Sequence, residues 1–413
     1  MTFANISYQK PRILSVKPTT AKINLIVHGQ GILIFDASSN CMLKYRDISG
    51  SSGLDVQFTD SQVLVHMFPS NEPLIDSENI KGLVKDKGAY YWVSLDSQNQ
   101  RLYAGIGEAR IETVIYKFQF NMGTNREENK LFLESLVSAD LVNLEPTSLM
   151  RDPITRQVPL IIKDTEDLSM DIIASGIHMP RANLSLISQK LYKCIAGKHF
   201  VLNTPCFPSF TKAIEYSIAT PGKWCYERLK QKATEFNKDK PDEKETYLRI
   251  TLGENNGDSP GIPYVLEIWP VGHYSPIHNH GGSSAIIRVL HGSINVSLFP
   301  FLGDASVLPF DKADFKKNDI TWISPTLNQI HQLKNLDGNK DTCITIQCYM
   351  YETSDKSHYD YFDYLNSESA KQQYEPDSDM EFIEFKNLMK EEWAERKCPW
   401  SLFDCFTQRT GAQ

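Results

Sequence analysis

The chain has 413 residues, of which 41% are hydrophobic and 23% are charged, as expected for a soluble globular protein of about two or three domains. Its formal net charge of -8 argues against general nucleic-acid binding, which needs a basic surface. No stretch approaches the ~18 consecutive apolar residues of a membrane span, and the first residues, MTFANISYQKPR, lack the apolar centre of a signal peptide. We therefore expect no nucleic-acid or membrane partner and a cytoplasmic location.

Residues 1–124 are predicted to form a separate β-rich domain of unknown function. Short segments such as KINLIVHGQGILIFD, AYYWVSL and RLYAGIG are rich in Val, Ile, Tyr and Phe, and clusters such as SGSSG separate them. Several short strands with regular turns favour a sandwich or a small jelly roll. The function of this domain is not readable from its residues.

Residues 125–190 have a looser pattern and are interpreted as a connector. REENKLFLESLVSADLV favours a short helix, and LEPTSLMRDPITRQVPLIIKD holds three prolines. Further on, Thr220-Pro221 has the residue types of a helix N-cap and first turn. The tail and helix of residues 367–413 show a capping box, Ser378 with Glu381, ahead of an apolar face. The acidic and aromatic stretch SHYDYFDYLNSE, which follows Tyr351, is expected at the surface.

The most informative stretch is GHYSPIHNHGGSSAIIRVLHG, residues 272–292. His278 and His280 are two residues apart in a segment that favours a strand, so both imidazoles are expected to project from one face. A third histidine, His331, follows in SPTLNQIHQLKN. Three facing neutral imidazoles suit iron, copper, zinc or nickel. The alternative is that the histidines only form hydrogen bonds within a core.

This spacing resembles the two metal-binding motifs of the cupin barrel, a double-stranded β-helix. Gly272 and Gly292 bracket the first motif, and His331 with Asn335 fits the second. The resemblance implies a mainly β, C-terminal cupin domain over residues 191–366, with flanking helices. Cupins often carry a glutamate ligand where this chain has Ala285, so the resemblance leaves only histidines to hold the metal.

Residues 209–351 resemble the cysteine dioxygenases within this fold class. Tyr247-Leu248-Arg249 is similar to their Tyr-x-Arg, Trp269 stands nine residues before His278, and Tyr349 occupies the place of the active-site tyrosine. The resemblance implies Fe(II) on the three histidines, a substrate carboxylate on Arg249, and a pocket shaped by Tyr247 and Trp269. Replacement of Arg249 is then expected to affect cysteine but to spare cysteamine, which lacks a carboxylate.

Two positions depart from that family. The cysteine that cross-links to the tyrosine in mammalian-type members is replaced by Ala285, although bacterial-type members also lack it. The histidine that usually orients the tyrosine is replaced by Gln347. The resemblance implies that Tyr349 donates a hydrogen bond near the bound oxygen or the substrate, and that the substrates are cysteine and O2, with cysteine sulfinate as the product. The alternatives are a dioxygenase of another small thiol acid, such as 3-mercaptopropionate, and a cupin that binds a ligand without turnover.

Overall fold

A computed structural model describes residues 13–15, 21–37, 39–75, 82–83, 89–120, 125–154, 157–253, 262–303, 307–351 and 361–396. The chain forms two compact units, one of Met1–Val158 with Phe299–Asp311 and one of Pro159–Leu298 with Lys312–Gln413. They are called the N-terminal and the C-terminal unit below. In the described ranges, no helix combines the length and the apolar character needed to span a membrane.

The described residues of the N-terminal unit form two six-stranded sheets, which confirms the predicted β-rich character. Its elements in chain order are β1 (Ile13–Ser15), β2 (Lys22–Asn24), β3 (Gln30–Asp36), β4 (Cys41–Arg46), β5 (Gly53–Phe58), β6 (Val63–Phe68), β7 (Pro73–Leu74), β8 (Tyr90–Asp96), β9 (Arg101–Ile106), β10 (Val114–Gln119), α1 (Arg126–Ser135), β11 (Ser138–Val142) and β12 (Glu145–Met150). The sheet orders are β1-β12-β3-β8-β9-β10 and β2-β11-β4-β5-β6-β7. Buried aromatic rings of Phe35, Phe58 and Tyr91, with centroids 5.3 to 6.0 Å apart, form part of its core.

More of the stretch after residue 125 belongs to sheets than its three prolines indicated. The strand β11 pairs with β4, and β12 pairs with β3. The ladder of β12 shifts register just after Pro146, and such irregularities are where a strand tolerates proline. The partners lie about a hundred residues earlier in the chain, so a local reading of composition could not reveal them.

The C-terminal unit contains the remaining elements and short helices ahead of the main strands. In chain order these are β13 (Ile161–Lys163), α2 (Met170–Ser175), β14 (His178–Pro180), α3 (Leu186–Ile195), α4 (Phe210–Ala219), α5 (Trp224–Gln231), β15 (Leu248–Leu252), β16 (Tyr264–Trp269), β17 (Ser284–His291), β18 (Ser293–Leu298), β19 (Asp311–Lys316), β20 (Ile320–Ile323), β21 (His331–Lys334), β22 (Cys343–Met350), β23 (Phe362–Leu365), β24 (Lys371–Tyr374), β25 (Met380–Glu381) and α6 (Phe382–Glu395).

Two facing sheets of the C-terminal unit form the predicted cupin, or double-stranded β-helix, barrel. One sheet has the order β20-β17-β22-β16-β15-β25, and the other combines β19-β18-β21 with the β23-β24 pair. Single bridges join the second sheet through His278, which pairs with both His331 and Tyr364. Inward side chains of both sheets form the core, with Trp269, Val289 and Phe315 among its buried members. The fold class expected from the sequence is confirmed.

Two predicted helix starts are displaced. The helix α4 runs to Ala219 and has Thr220 as its C-cap, and α5 begins only at Trp224. Gly222, with φ of +79°, lies in the left-handed region between them and interrupts the helix that Thr220-Pro221 indicated. The helix α6 starts at Phe382 without a side-chain cap, because the Ser378 hydroxyl group hydrogen-bonds to the Met380 carbonyl instead.

Candidate metal centre

The three predicted histidines converge at one point inside the barrel. His278 and His280 lie on the segment before β17, and His331 opens β21 opposite them. The ring centroids are 4.8 to 5.0 Å apart in all three pairs, and one nitrogen of each ring lies within 4.8 Å of the others. The segment is held by single bridges rather than by a regular strand. Gly281 and Gly282, with φ of +58° and +76°, then turn the chain into β17.

Backbone carbonyls determine how two of the rings are oriented. His278 Nδ1 lies 3.0 Å from the Pro276 carbonyl oxygen, and His331 Nδ1 lies 3.1 Å from the Asn328 carbonyl oxygen. A carbonyl only accepts, so both Nδ1 atoms carry the proton and both Nε2 atoms keep a lone pair. This is the usual arrangement by which a protein prepares histidines as metal ligands.

The donor set fits a transition metal ion. His280 Nε2 and His331 Nε2 are 3.2 Å apart, the separation of two nitrogens that bind one ion at ~2.1 Å with an angle of about 100°. Burial lowers the pKa of His278 to about 4 and that of His331 to about 3, so both are neutral at pH 7, as ligands must be. A direct hydrogen bond from His280 to His331 would have the same distance, and metal analysis separates the two interpretations.

A cavity opens beside the histidines within the barrel. Most of its lining is apolar and comes from the strands of both sheets, including Ile287, Val296 and Phe315. Tyr247 and Trp269 line it together, their rings stacked with centroids 4.2 Å apart and an interplanar angle of 18°. A ligand of the histidines would therefore be held in a pocket that largely excludes water.

Arg249 meets a protein carboxylate rather than an open pocket. Its Nη1 lies 3.2 Å from Glu267 Oε1, across neighbouring positions of β15 and β16. Both side chains are buried, and Glu267 lines the cavity, whereas Arg249 is not among the described residues that line it. The assignment of a substrate carboxylate to Arg249 stays a prediction, and this ion pair would compete with it.

Tyr349 lies beside the histidines and is connected to the same ion pair. Its ring is stacked near that of His280, with centroids 5.9 Å apart. The Tyr349 hydroxyl group donates to Gln347 Oε1, and the Gln347 side chain also hydrogen-bonds to Glu267. Because an ionised carboxylate only accepts, the Gln347 amide nitrogen faces Glu267 and its oxygen faces the tyrosine. Gln347 thus supplies the tyrosine with a partner.

Ala285 and Tyr349 are directly opposite each other on β17 and β22. The position that the resemblance assigns to the cross-linking cysteine is therefore adjacent to the tyrosine in space. Alanine at this position is fully buried and offers no reactive group.

Two residues of the site were missed in the sequence. Phe362, in the stretch expected at the surface, is buried, and its ring lies edge-on to His280 at a centroid distance of 4.7 Å. The alternation of Phe362 and Tyr364 around Asp363 was the available signal, obscured by the acidic residues nearby. Glu267 was the other, a single acid in the apolar strand YVLEIW, two residues before Trp269 and therefore on the same face.

A second group of potential ligands, Glu215, His291 and Asp341, lies at the surface of the C-terminal unit. Asp341 is exposed and Glu215 and His291 are half-buried, and His291 Nε2 lies 3.2 Å from Glu215 Oε1. Solvated pairs of this kind are common without a metal. The group provides a useful control for the buried histidines.

No protein-family model matches the chain. Similar solved structures include a polyketide cyclase from Streptomyces resistomycificus, at 17% identity over 21% of this chain and 53% of that chain, with a TM-score of 0.17. A cupin domain from Schizosaccharomyces pombe matches at 14% identity over 26% of this chain and 64% of that one, with a TM-score of 0.20. A cupin 2 domain-containing protein from Halorhodospira halophila matches at 16% identity over 40% and 89% of the two chains, with a TM-score of 0.20.

The chain thus spans about half to two thirds of the length of the first two structures. Similarity at this level carries no argument about activity, and the cupin fold rests on the strand topology described above.

Proposed function

We propose that the C-terminal unit is an iron-dependent thiol dioxygenase that converts a small thiol and O2 into the sulfinic acid, with cysteine as the first thiol to test. The supporting observation is that His278, His280 and His331 converge beside a mostly apolar cavity, and that no carboxylate of the described residues belongs to their group. Three neutral ligands leave the charge of Fe(II) to be balanced by an anionic ligand such as a thiolate. Both oxygen atoms end on sulfur and the thiol supplies the electrons, so no other reductant is needed.

The side chains of the site have separate tasks in this reaction. When bound, Fe(II) would supply the Lewis acidity that lowers the thiol pKa and the redox chemistry that O2 requires. The stacked rings of Tyr247 and Trp269 provide a rigid wall that restricts the orientation of the thiol. The hydroxyl proton of Tyr349 is held by Gln347, so towards a ligand the phenol offers oxygen lone pairs rather than a proton. This differs from the donor role that the resemblance implies.

Iron content and oxygen consumption test the proposal. Protein prepared anaerobically with Fe(II) should contain about one iron per C-terminal unit and consume O2 only when a thiol is added. The product should be heavier than the thiol by both atoms of O2. The variant His331→Ala should lose the iron and the O2 consumption, whereas the control His291→Ala should keep both, because His291 belongs to the surface group.

Two outcomes contradict parts of this proposal. Full iron content in His331→Ala would remove this histidine from the ligand set. An iron-loaded protein that consumes no O2 with cysteine, cysteamine or 3-mercaptopropionate would exclude the reaction and favour a cupin that binds its ligand without turnover.

A further inference from the structure

Glu267 is the only acidic side chain among the described residues that line the cavity of the three histidines. It projects inwards from β16, two residues before Trp269, and the residue is 6% exposed. A buried carboxylate in an otherwise apolar cavity needs compensation by charge or hydrogen bonds. Its partners therefore decide which ligand groups the cavity accepts.

The positive charge of Arg249 is already paired with the carboxylate of Glu267. The guanidinium group of Arg249 lies 3.2 Å from the Glu267 carboxylate, and the Gln347 side chain also hydrogen-bonds to this carboxylate. A ligand carboxylate would have to share Arg249 with Glu267 and bring a second negative charge next to it. A ligand ammonium group would instead form an ion pair with Glu267 while the pair between Glu267 and Arg249 stays intact.

Glu267 also has capacity for such a ligand. An ionised carboxylate accepts about four hydrogen bonds, and the contacts with Arg249 and Gln347 are those that the described residues provide. Burial raises the pKa of Glu267, and the Arg249 guanidinium opposes that rise. A bound ammonium group would act in the same direction as Arg249 and keep the carboxylate ionised.

We propose that Glu267 binds a protonated amine of the substrate, so that the substrates are aminothiols whose ammonium group is close to the thiol. Arg249 is then a positioning residue that holds Glu267, and a substrate carboxylate is not required. The inference rests on the proposed thiol oxidation, since it assumes that the sulfur binds at the histidines. It also gives a partner to the substrate amine.

A pair of matched thiols tests this assignment. Cysteamine and 3-mercaptopropionate share the same two-carbon chain and differ in carrying an ammonium group or a carboxylate. Their dissociation constants are measured by calorimetry on the iron-loaded full chain without oxygen, so the readout is binding rather than turnover. The wild-type protein should bind cysteamine at least about tenfold more tightly, because one charge-assisted hydrogen bond contributes roughly one to two factors of ten.

The substitution Glu267→Gln removes the charge and keeps the shape. It should weaken cysteamine binding by about 10- to 100-fold and leave 3-mercaptopropionate binding unchanged or tighter. The control is Glu392→Gln, the same substitution at a carboxylate that is 7% exposed and accepts a hydrogen bond from the Trp224 backbone, away from the cavity. It should change neither constant.

The possible results separate the two proposals. Tighter binding of 3-mercaptopropionate by the wild type, no binding of cysteamine, or equal weakening of both thiols in Glu267→Gln would overturn the role of Glu267. If Glu267→Gln does not fold, the comparison of cysteamine and 3-mercaptopropionate binding by the wild-type protein still tests the role of Glu267. Preference for cysteamine without O2 consumption by any thiol would keep this inference and reject the dioxygenase reaction.

Discussion

Replacing Arg249 by methionine removes one half of a buried ion pair and leaves Glu267 charged in an apolar cavity. The two side chains are 1% and 7% exposed, so water cannot replace the lost partner. Removing one member of such a pair typically costs about 3–5 kcal/mol, whereas removing both costs much less. We therefore expect Arg249→Met to destabilise the C-terminal unit by about 3–5 kcal/mol. Glu267→Gln, added to it, should restore most of this loss.

Hydrogen exchange is the suitable assay, because a chain with two compact units need not unfold in a single transition. Amides of β15 and β16, which carry the pair, should exchange roughly 10²- to 4 × 10³-fold faster in Arg249→Met and close to the wild-type rate in the double variant. Effects of the two substitutions that add within about 0.5 kcal/mol would refute the coupling.

The same variant bears on ligand binding. Without the guanidinium, the pKa of Glu267 should rise further, and the carboxyl group should become protonated more easily. Cysteamine binding should therefore weaken in Arg249→Met, although cysteamine has no carboxylate. If cysteamine binding were unchanged while cysteine binding fell, Arg249 would be the carboxylate anchor that the resemblance implies.

Three further predictions concern the histidines and the tyrosine. Burial lowers the pKa of His278 to about 4, so its imidazole stays neutral at pH 5 in the folded, metal-free protein. In the unfolded chain the same imidazole takes up a proton below pH ~6.5. The melting temperature of the metal-free protein should accordingly fall between pH 7 and pH 5, and it should fall less steeply in His278→Gln. Bound iron should be retained down to about pH 5. A melting temperature that does not change with pH would contradict this. Ala285→Cys places a thiol opposite Tyr349, and iron with O2 should then produce a cross-linked chain lighter by two hydrogen atoms in mass spectrometry, absent from Ala285→Ser. Gln347→Leu removes the Gln347 oxygen that accepts the Tyr349 hydroxyl proton and should cost about 1–3 kcal/mol in denaturant unfolding. Gln347→His should recover part of this loss, and equal losses in the two variants would show that the hydrogen bond is not the cause.

The sequence by itself determined those features that depend on residues close to each other in the chain. The two-residue spacing of His278 and His280 predicted that both rings project to one site, and the rings do converge, although single bridges and not a regular strand hold the segment. The resemblance of His331 and Asn335 to the second cupin motif predicted that His331 joins them, and the structure brings the three rings together. The cupin barrel was predicted from the resemblance to its two metal-binding motifs, which are short enough to be found in the sequence.

Only the tertiary structure decided which partners these side chains meet. Glu267 faces Arg249 because β15 and β16 pair in one particular register, and a shift of one residue would have turned it outwards. Phe362 reaches His280 from a strand about eighty residues later in the chain. Such contacts depend on how distant strands pair, and the residues of one strand carry little information about that register. The histidines could therefore be found from spacing, whereas the charge that a ligand meets beside them follows from the packing of the barrel.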